Sequence, residues 1–283
     1  MASNIAVWLD GVPGSSLPLP DRGLDFGDGL FETLLLENGR ALFRQAHLER
    51  LRLGLGALAL PDCSSIAEQY LDLVCADIVS RGWPWAALRI TVTRGAGERG
   101  YAAPAQVTPR IIITVSPLQH DCRQMPQPAA LVLADLRLSS EPFLAGVKHL
   151  NRLEQVIAAT QARQAQADES VLLDHSGQVV SVAAGNLFLV VGGELLTPPL
   201  AVCPIHGTRR RLVIEQLAPA LGLDIREARV DLEVFFSCDE VFFTNSLQGL
   251  RPVKALGSAS WETYPVCQAL FEEYIREINS CAG

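Results

Sequence analysis

The sequence predicts an α+β protein built as two domains. Strand-like and helix-like segments mix along the chain without the strict alternation that builds a doubly wound parallel sheet. The 283 residues are 49% hydrophobic and 19% charged, enough for two cores of ordinary size. A mostly polar stretch from Pro117 to Pro128, holding three prolines, divides them. The expected organisation is an N-terminal α/β domain over 1–117, a linker over 118–128 and a C-terminal domain over 129–283.

The elements follow in order. Asn4–Leu9 reads as a strand ending in the turn Asp10-Gly11. Leu30–Leu36 and Ala41–Phe43 flank Glu37-Asn38-Gly39-Arg40, and Asn-Gly is the strongest short hairpin signal. Leu48, Leu51, Leu55 and Leu58 recur at helical spacing within Gln45–Leu58. Ser64–Arg81 is a second amphipathic helix, with Ser64 or Ser65 as its expected cap. Ala87–Thr93 and Arg110–Ser116 are strands rich in β-branched residues, joined by a glycine- and arginine-rich loop over 94–101. Past the linker, Ala130–Leu136 is a strand and Leu150–Gln166 a helix. Strands follow at Ser170–Leu173, Val179–Val182, Asn186–Val191 and Glu194–Thr197. Arg209–Leu221 is a helix, Asp224–Val230 and Glu240–Thr244 are strands, and Thr263–Asn279 is the closing helix.

Composition excludes several classes of function. A net charge of −8 argues against a nucleic-acid footprint. No apolar run approaches the roughly 20 residues that span a bilayer. The N-terminus lacks the basic and apolar regions of a secretory signal. Seven scattered cysteines without a CxxC pair disfavour a disulfide framework or a thiolate metal site, and the five histidines are dispersed. A reduced, cytoplasmic, soluble globular protein is the expectation.

Positive charge rests almost wholly on arginine, and only two lysines occur, Lys148 and Lys254. Lys148 stands at a strand-to-helix junction in Gly146-Val147-Lys148-His149-Leu150-Asn151-Arg152-Leu153-Glu154-Gln155. A lysine amine can lose its proton and attack a carbonyl, which arginine cannot do. Lys254 follows Pro-Val in a loop-like stretch and reads as a solvated charge. Ile205-His206-Gly207-Thr208-Arg209-Arg210 precedes a helix, so its N–H groups make a ready anion site. Thr244-Asn245-Ser246-Leu247-Gln248-Gly249 follows a strand and offers a second cup of donors. Arg50, between Glu49 and Leu51, is either a solvated flank or an inward-facing phosphate ligand; the pattern alone favours the flank.

The segment Asp21-Arg22-Gly23-Leu24-Asp25-Phe26-Gly27-Asp28-Gly29-Leu30-Phe31-Glu32-Thr33 resembles the opening motif of the fold type IV pyridoxal-phosphate enzymes. That family includes branched-chain aminotransferases, D-amino-acid transaminases and 4-amino-4-deoxychorismate lyase. His47–Leu51, Lys148–Gln155, Gly185–Phe188, Gly207–Arg210 and Asn245–Val253 are similar to further family blocks in the same order. The resemblance spans nearly the whole chain and implies the two-domain fold of the D-amino-acid aminotransferase type. The block after Lys148, and Arg94-Gly95-x-Gly97-x-Arg99-Gly100-Tyr101, most resemble the lyase branch.

The resemblance also implies roles. Lys148 would be the Schiff-base lysine for pyridoxal 5′-phosphate and the general base. Arg50, the backbone of Thr208 and Arg209, and Asn245 with Ser246 would bind the cofactor phosphate. Asn186 would order the region beneath the pyridine ring. Phe31, Arg99 and Tyr101 would contact substrate, the last two as carboxylate holders reaching a partner subunit's site in a homodimer. The implied reaction converts 4-amino-4-deoxychorismate to 4-aminobenzoate and pyruvate, in folate biosynthesis, with functional coupling to the synthase that supplies the substrate. One position departs from the family. Ser181 stands five residues before Asn186, where a glutamate usually faces the pyridine nitrogen. A hydroxyl can only hydrogen-bond that nitrogen, which suits elimination better than amino transfer. A fold type IV transaminase and a catalytically silent cofactor-binding protein are the alternatives.

Overall fold

A computed structural model describes residues 5–14, 16–139, 141–199 and 205–280. Asn4, at the start of the first expected strand, and Cys203 and Cys281 lie outside the described residues. The chain forms two compact units. One runs to Asp121 and also takes in Val147–Asn151; the other comprises Cys122–Gly146 and the chain from Arg152 onward. Among the described residues no helix is long and apolar enough to cross a membrane, and no group of His, Cys, Asp and Glu could hold a metal ion.

The first unit contains β1 (Ala6–Leu9), β2 (Val12–Pro13), α1 (Arg22–Phe26), β3 (Gly29–Glu37), β4 (Arg40–Ala41), α2 (Arg44–Ala57), α3 (Ser64–Arg81), β5 (Trp85–Thr93) and β6 (Arg110–Pro117). Its six strands form an antiparallel sheet in the order β2-β1-β6-β5-β3-β4. Leu30, Leu34 and Leu36 alternate on one face of β3 and pack with Leu51 and Leu55 of α2 and with Leu71, Val74 and Ile78 of α3. The β3–β4 hairpin turns where the Asn-Gly signal predicts. Asn38 and Gly39 both have positive φ, 49° and 79°, the conformation a two-residue hairpin needs. The expected cap of α3 is different. Neither Ser64 nor Ser65 caps it; Asp62 accepts the Ser64 N–H (3.0 Å) and hydroxyl (2.6 Å), because a carboxylate two residues earlier is the stronger acceptor.

The second unit contains β7 (Ala129–Leu138), α4 (Leu153–Gln164), β8 (Glu169–Asp174), β9 (Val179–Val182), β10 (Asn186–Val191), β11 (Glu194–Thr197), α5 (Thr208–Leu212), a π-helical turn over Val213–Leu217, α6 (Ala218–Ala220), β12 (Ile225–Glu227), α7 (Leu232–Ser237), β13 (Glu240–Asn245), β14 (Gly249–Leu256), β15 (Ala259–Ser260) and α8 (Pro265–Ser280). Its main strand order is β12-β11-β10-β13-β14-β7-β8-β9, with β15 beside β14. The β14/β7, β7/β8 and β11/β12 pairs are parallel. A core of Leu187, Leu189, Phe235, Phe243, Val253 and Trp261 supports one face. Glu240 of β13 accepts the N–H groups of Val266 (3.0 Å) and Cys267 (2.7 Å), satisfying the first turn of α8.

The placement of Lys148 corrects the expected domain division. The lysine was assigned to the C-terminal domain, and it belongs to the first unit. The Phe31 N–H donates to the Lys148 carbonyl and the Leu150 N–H to the Gly29 carbonyl, each at 3.0 Å, and Val147 is buried in the first core. This extended pairing also delays the helix expected from Leu150, so α4 begins at Leu153.

Candidate active site

The register of the first sheet selects which side chains can act together. Phe31 lies opposite Thr91, and Thr33 opposite Arg89. Opposed and alternate residues share a face. The Lys148 Nζ lies over the Phe31 ring, 4.2 Å from its centre, and the Arg89 guanidinium lies 3.9 Å from the same centre. Arg89 also donates from Nε to Thr91 Oγ1 at 3.1 Å. Desolvation lowers its pKa from the ordinary arginine value. An amine, an aromatic surface and a guanidinium thus occur together. Arg89 was missed in the sequence because one cation in a strand has no spacing signal; its meaning comes from the register with Phe31.

Glu32 sits on the core face of β3, beneath α2. Its carboxylate receives Arg50 Nε on Oε1 (2.8 Å) and Arg50 Nη2 on Oε2 (2.6 Å), while His47 Nδ1 lies 2.7 Å from Oε2. Glu32 and His47 are fully buried, and the Arg50 side chain is nearly so. Arg50 is therefore not a solvated flank: its guanidinium faces Glu32 and is fixed by that pair in a two-pronged geometry. Burial alone would raise the Glu32 pKa. The Arg50 charge and hydrogen bonds, with His47, outweigh it and bring it to about 2.

The sign for stability follows. A depressed carboxylate pKa contributes stability above the unfolded value, and that contribution is lost as pH falls toward the folded value. We expect the acid limb between about pH 4.5 and pH 2 to flatten in Glu32→Gln, as read from urea midpoints measured against pH. An unchanged limb would show that Glu32 is not the group responsible.

The loop after β5 carries Arg99 and Tyr101, both solvent-exposed, Tyr101 at 88%. Its base is held by Arg94, which donates to Asp28 Oδ2 (2.8 Å) and to the carbonyls of Leu58 and Ala59. The same Asp28 oxygen receives Arg22 Nε at 2.9 Å. Burial pulls the Asp28 pKa upward, but Arg94 and Arg22 hold it below the usual carboxylate range.

In the second unit Asn186 begins β10 opposite Thr244 and donates from Nδ2 to the Ile205 carbonyl at 3.2 Å. A Cβ at Gly207 would stand 2.0 Å from Asn186 Oδ1, so any larger residue there would displace that side chain. Asn186 therefore fixes the entry into α5, whose first N–H groups, including those of Thr208 and Arg209, lie outside the helix ladder. The buried Arg209 guanidinium reaches toward Thr208 Oγ1 and the Ser246 carbonyl, each at 3.4 Å. This links the two donor-rich turns singled out in the sequence. Asn245 acts on its own turn: its Oδ1 accepts the N–H groups of Leu247 (3.1 Å) and Gln248 (2.8 Å). Its side-chain oxygen thus shapes the cup. The buried Thr244 Oγ1 has no hydrogen-bond partner among the described residues. Ser181 is buried in β9, opposite Leu172.

Residues 29–256 match the amino-transferase class IV family. The chain belongs to that family. It is 30% identical over 256 residues to an aminodeoxychorismate lyase of Vibrio harveyi, covering 89% of this chain and 91% of that one. A crystal structure of 4-amino-4-deoxychorismate lyase from Pseudomonas aeruginosa is 37% identical, with a TM-score of 0.86, covering 96% of this chain and 98% of that one. The pyridoxal-phosphate-bound form of a hypothetical aminotransferase from Mycobacterium tuberculosis shares the fold, with a TM-score of 0.82 at 22% identity over 98% of this chain and 99% of that one. Class IV enzymes of this fold depend on pyridoxal phosphate. The residues of this class IV enzyme fit that cofactor: a lysine amine over an aromatic ring, a glycine packed directly on Asn186 at the entry to α5, and a buried hydroxyl with no partner among the described residues.

Proposed function

We propose that this class IV enzyme is a lyase that converts 4-amino-4-deoxychorismate into 4-aminobenzoate and pyruvate. The observation that carries the reading is the Lys148 amine and the Arg89 guanidinium over one Phe31 ring. That arrangement suits a flat cyclic substrate bearing an amine and carboxylates. The similarity to the two lyases supports it.

Lys148 would carry the cofactor, and Arg50 with the N–H groups of Thr208, Arg209 and Ser246 would bind its phosphate. Bound there, pyridoxal phosphate supplies an electron sink for the carbon that bears the substrate amine. The freed Lys148 amine removes the proton from that carbon. The ring bond to the enolpyruvyl oxygen breaks, the electron pair leaving with oxygen; the ring becomes aromatic, and the released enolate takes up one proton at its terminal carbon to become pyruvate. Phe31, whose ring holds the Lys148 and Arg89 side chains, would contact substrate, and Arg89 would offer one carboxylate ligand. Arg99 and Tyr101 would serve a second carboxylate, in a homodimer where the loop acts on the neighbouring copy. Ser181 supports elimination, because a hydroxyl at that position does not impose the charge that amino transfer relies on. A cytoplasmic setting is part of the proposal, supported by free thiols at Cys63, Cys75, Cys238 and Cys267.

The test supplies chorismate, glutamine and the synthase that makes the aminated substrate, and measures 4-aminobenzoate and pyruvate with and without this protein. Stoichiometric release of both is expected. Amino transfer to 2-oxoglutarate without pyruvate would replace the lyase by a transaminase, and neither product would indicate a silent cofactor-binding protein.

A further inference from the structure

The 94–101 loop has a fixed backbone and outward side chains, and one buried residue joins those two properties. Arg22 is 4% exposed. Within its own motif it makes one side-chain hydrogen bond, from Nε to Asp28. Both terminal nitrogens leave the motif: Nη1 donates to the Gly100 carbonyl at 3.0 Å and Nη2 to the Tyr101 carbonyl at 2.8 Å. Its backbone N–H donates to the Gly95 carbonyl at 2.9 Å. At Gly97 a Cβ would stand 2.7 Å from Arg22 Cδ, so the loop lies directly against the arginine stem. The guanidinium also lies 4.8 Å from the centre of the Phe26 ring, which meets the Tyr101 ring at 5.5 Å. One residue thus grips the loop, by its backbone at the start and by its side chain in the middle and at the end, and Tyr101 is nonetheless 88% exposed.

A buried arginine whose job was only to close α1 would not need two carbonyls that lie 78 and 79 residues further on. Guanidinium donors in a rigid fork can hold two adjacent carbonyls at a fixed orientation, whereas a lysine ammonium cannot span them together with Asp28. Holding a binding loop in its working conformation reduces the ordering cost when ligand arrives.

We propose that Arg22 is a positioning residue for substrate: through the Gly100 and Tyr101 carbonyls it presets the loop that offers Arg99 and Tyr101 to a substrate carboxylate. This rests on the carboxylate-holding reading of Arg99 and Tyr101. Phe26 completes the device by packing on Tyr101 while Asp28 holds the arginine in place. The opening motif thereby acts on substrate affinity although none of Arg22, Phe26 or Asp28 touches substrate.

The test compares Arg22→Lys, Arg99→Ala and the double variant in steady-state kinetics, with cofactor content and apo-protein melting measured on each. Arg22→Lys is expected to raise KM by roughly tenfold, the scale of one lost hydrogen bond, with kcat within about twofold and cofactor content unchanged. Arg99→Ala is expected to raise KM similarly, and the double variant to add little more, since both act through one contact. If Arg99→Ala raises KM and Arg22→Lys does not, the positioning role is overturned while the carboxylate reading stands. If Arg99→Ala leaves KM unchanged, the carboxylate reading itself fails and the proposal with it. A fall in kcat or cofactor content without a rise in KM would show a general structural role and overturn the proposal.

Discussion

Lys148→Ala is expected to lower turnover by roughly 10⁴-fold or more, because one amine serves as cofactor anchor and as proton carrier. The fold should survive. What Lys148 gives the sheet is its carbonyl, which accepts the Phe31 N–H at 3.0 Å, and alanine keeps that group. Melting of the apo protein should therefore change little. The visible absorption of lysine-bound pyridoxal phosphate should vanish, and borohydride should no longer fix label at position 148. Small primary amines added to the variant should restore part of the turnover, since an amine is what is missing. Lys254 in β14 is exposed and supplies the control: Lys254→Ala should match the parent protein. Substantial turnover by Lys148→Ala without added amine would remove this lysine from the chemistry.

Arg50→Ala is expected to act twice, and the two effects separate. Losing a charged pair of hydrogen bonds to phosphate should weaken cofactor binding by roughly 10²-fold, about 3 kcal/mol. The same change strands the Glu32 carboxylate, which is buried with His47 as its other partner. An uncompensated buried charge costs about 3–5 kcal/mol of stability. Adding Glu32→Gln to Arg50→Ala should recover part of the melting loss, because the stranded charge is gone. It should not recover cofactor affinity, because the phosphate ligand is still missing. Cofactor titration and apo-protein melting on the same samples check both halves. Full cofactor affinity in Arg50→Ala would remove this arginine from the phosphate site.

Much of the fold was legible. β9, β10 and β11 occur as expected, because alternating or continuous apolar residues bounded by glycine and polar turns leave little choice. The elements that escaped detection have local reasons. β14 contains Pro252 and follows a Gln-Gly turn, so it reads as loop; partners on both sides and a register shift between Val253 and Ala255 make it a strand. The strand expected over Asp224–Val230 shortens to Ile225–Glu227, because pairing with β11 covers only that stretch. α1 and α7 are short, and their aspartate caps, Asp21 on Gly23 and Asp231 on Val234, carry no apolar periodicity to announce a helix.

The site divides in the same way. Lys148 stood out by composition, and Gly207-Thr208 by turn chemistry, since both signals are local. Arg50 by itself read as a solvated flank. Only the fold puts Glu32 beneath it, because alternation along β3 sends Glu32 to the face that α2 covers. Arg89 and Arg22 were not distinguishable from other arginines in the chain. Their partners, the Phe31 ring and the Gly100 and Tyr101 carbonyls, lie 58, 78 and 79 residues away.

Residue types along the chain set the chemistry available: two lysine amines in an arginine-rich chain, glycine turns that can meet an anion, and a hydroxyl at position 181. These depend on residue type and near neighbours, which the chain states directly. The tertiary structure alone decided which groups work together. It drew residues 147–151 into the first unit, placed Glu32 under Arg50, and ran Arg22 to the loop of Tyr101. Strand register and helix packing bring distant residues together, and no local rule encodes that pairing.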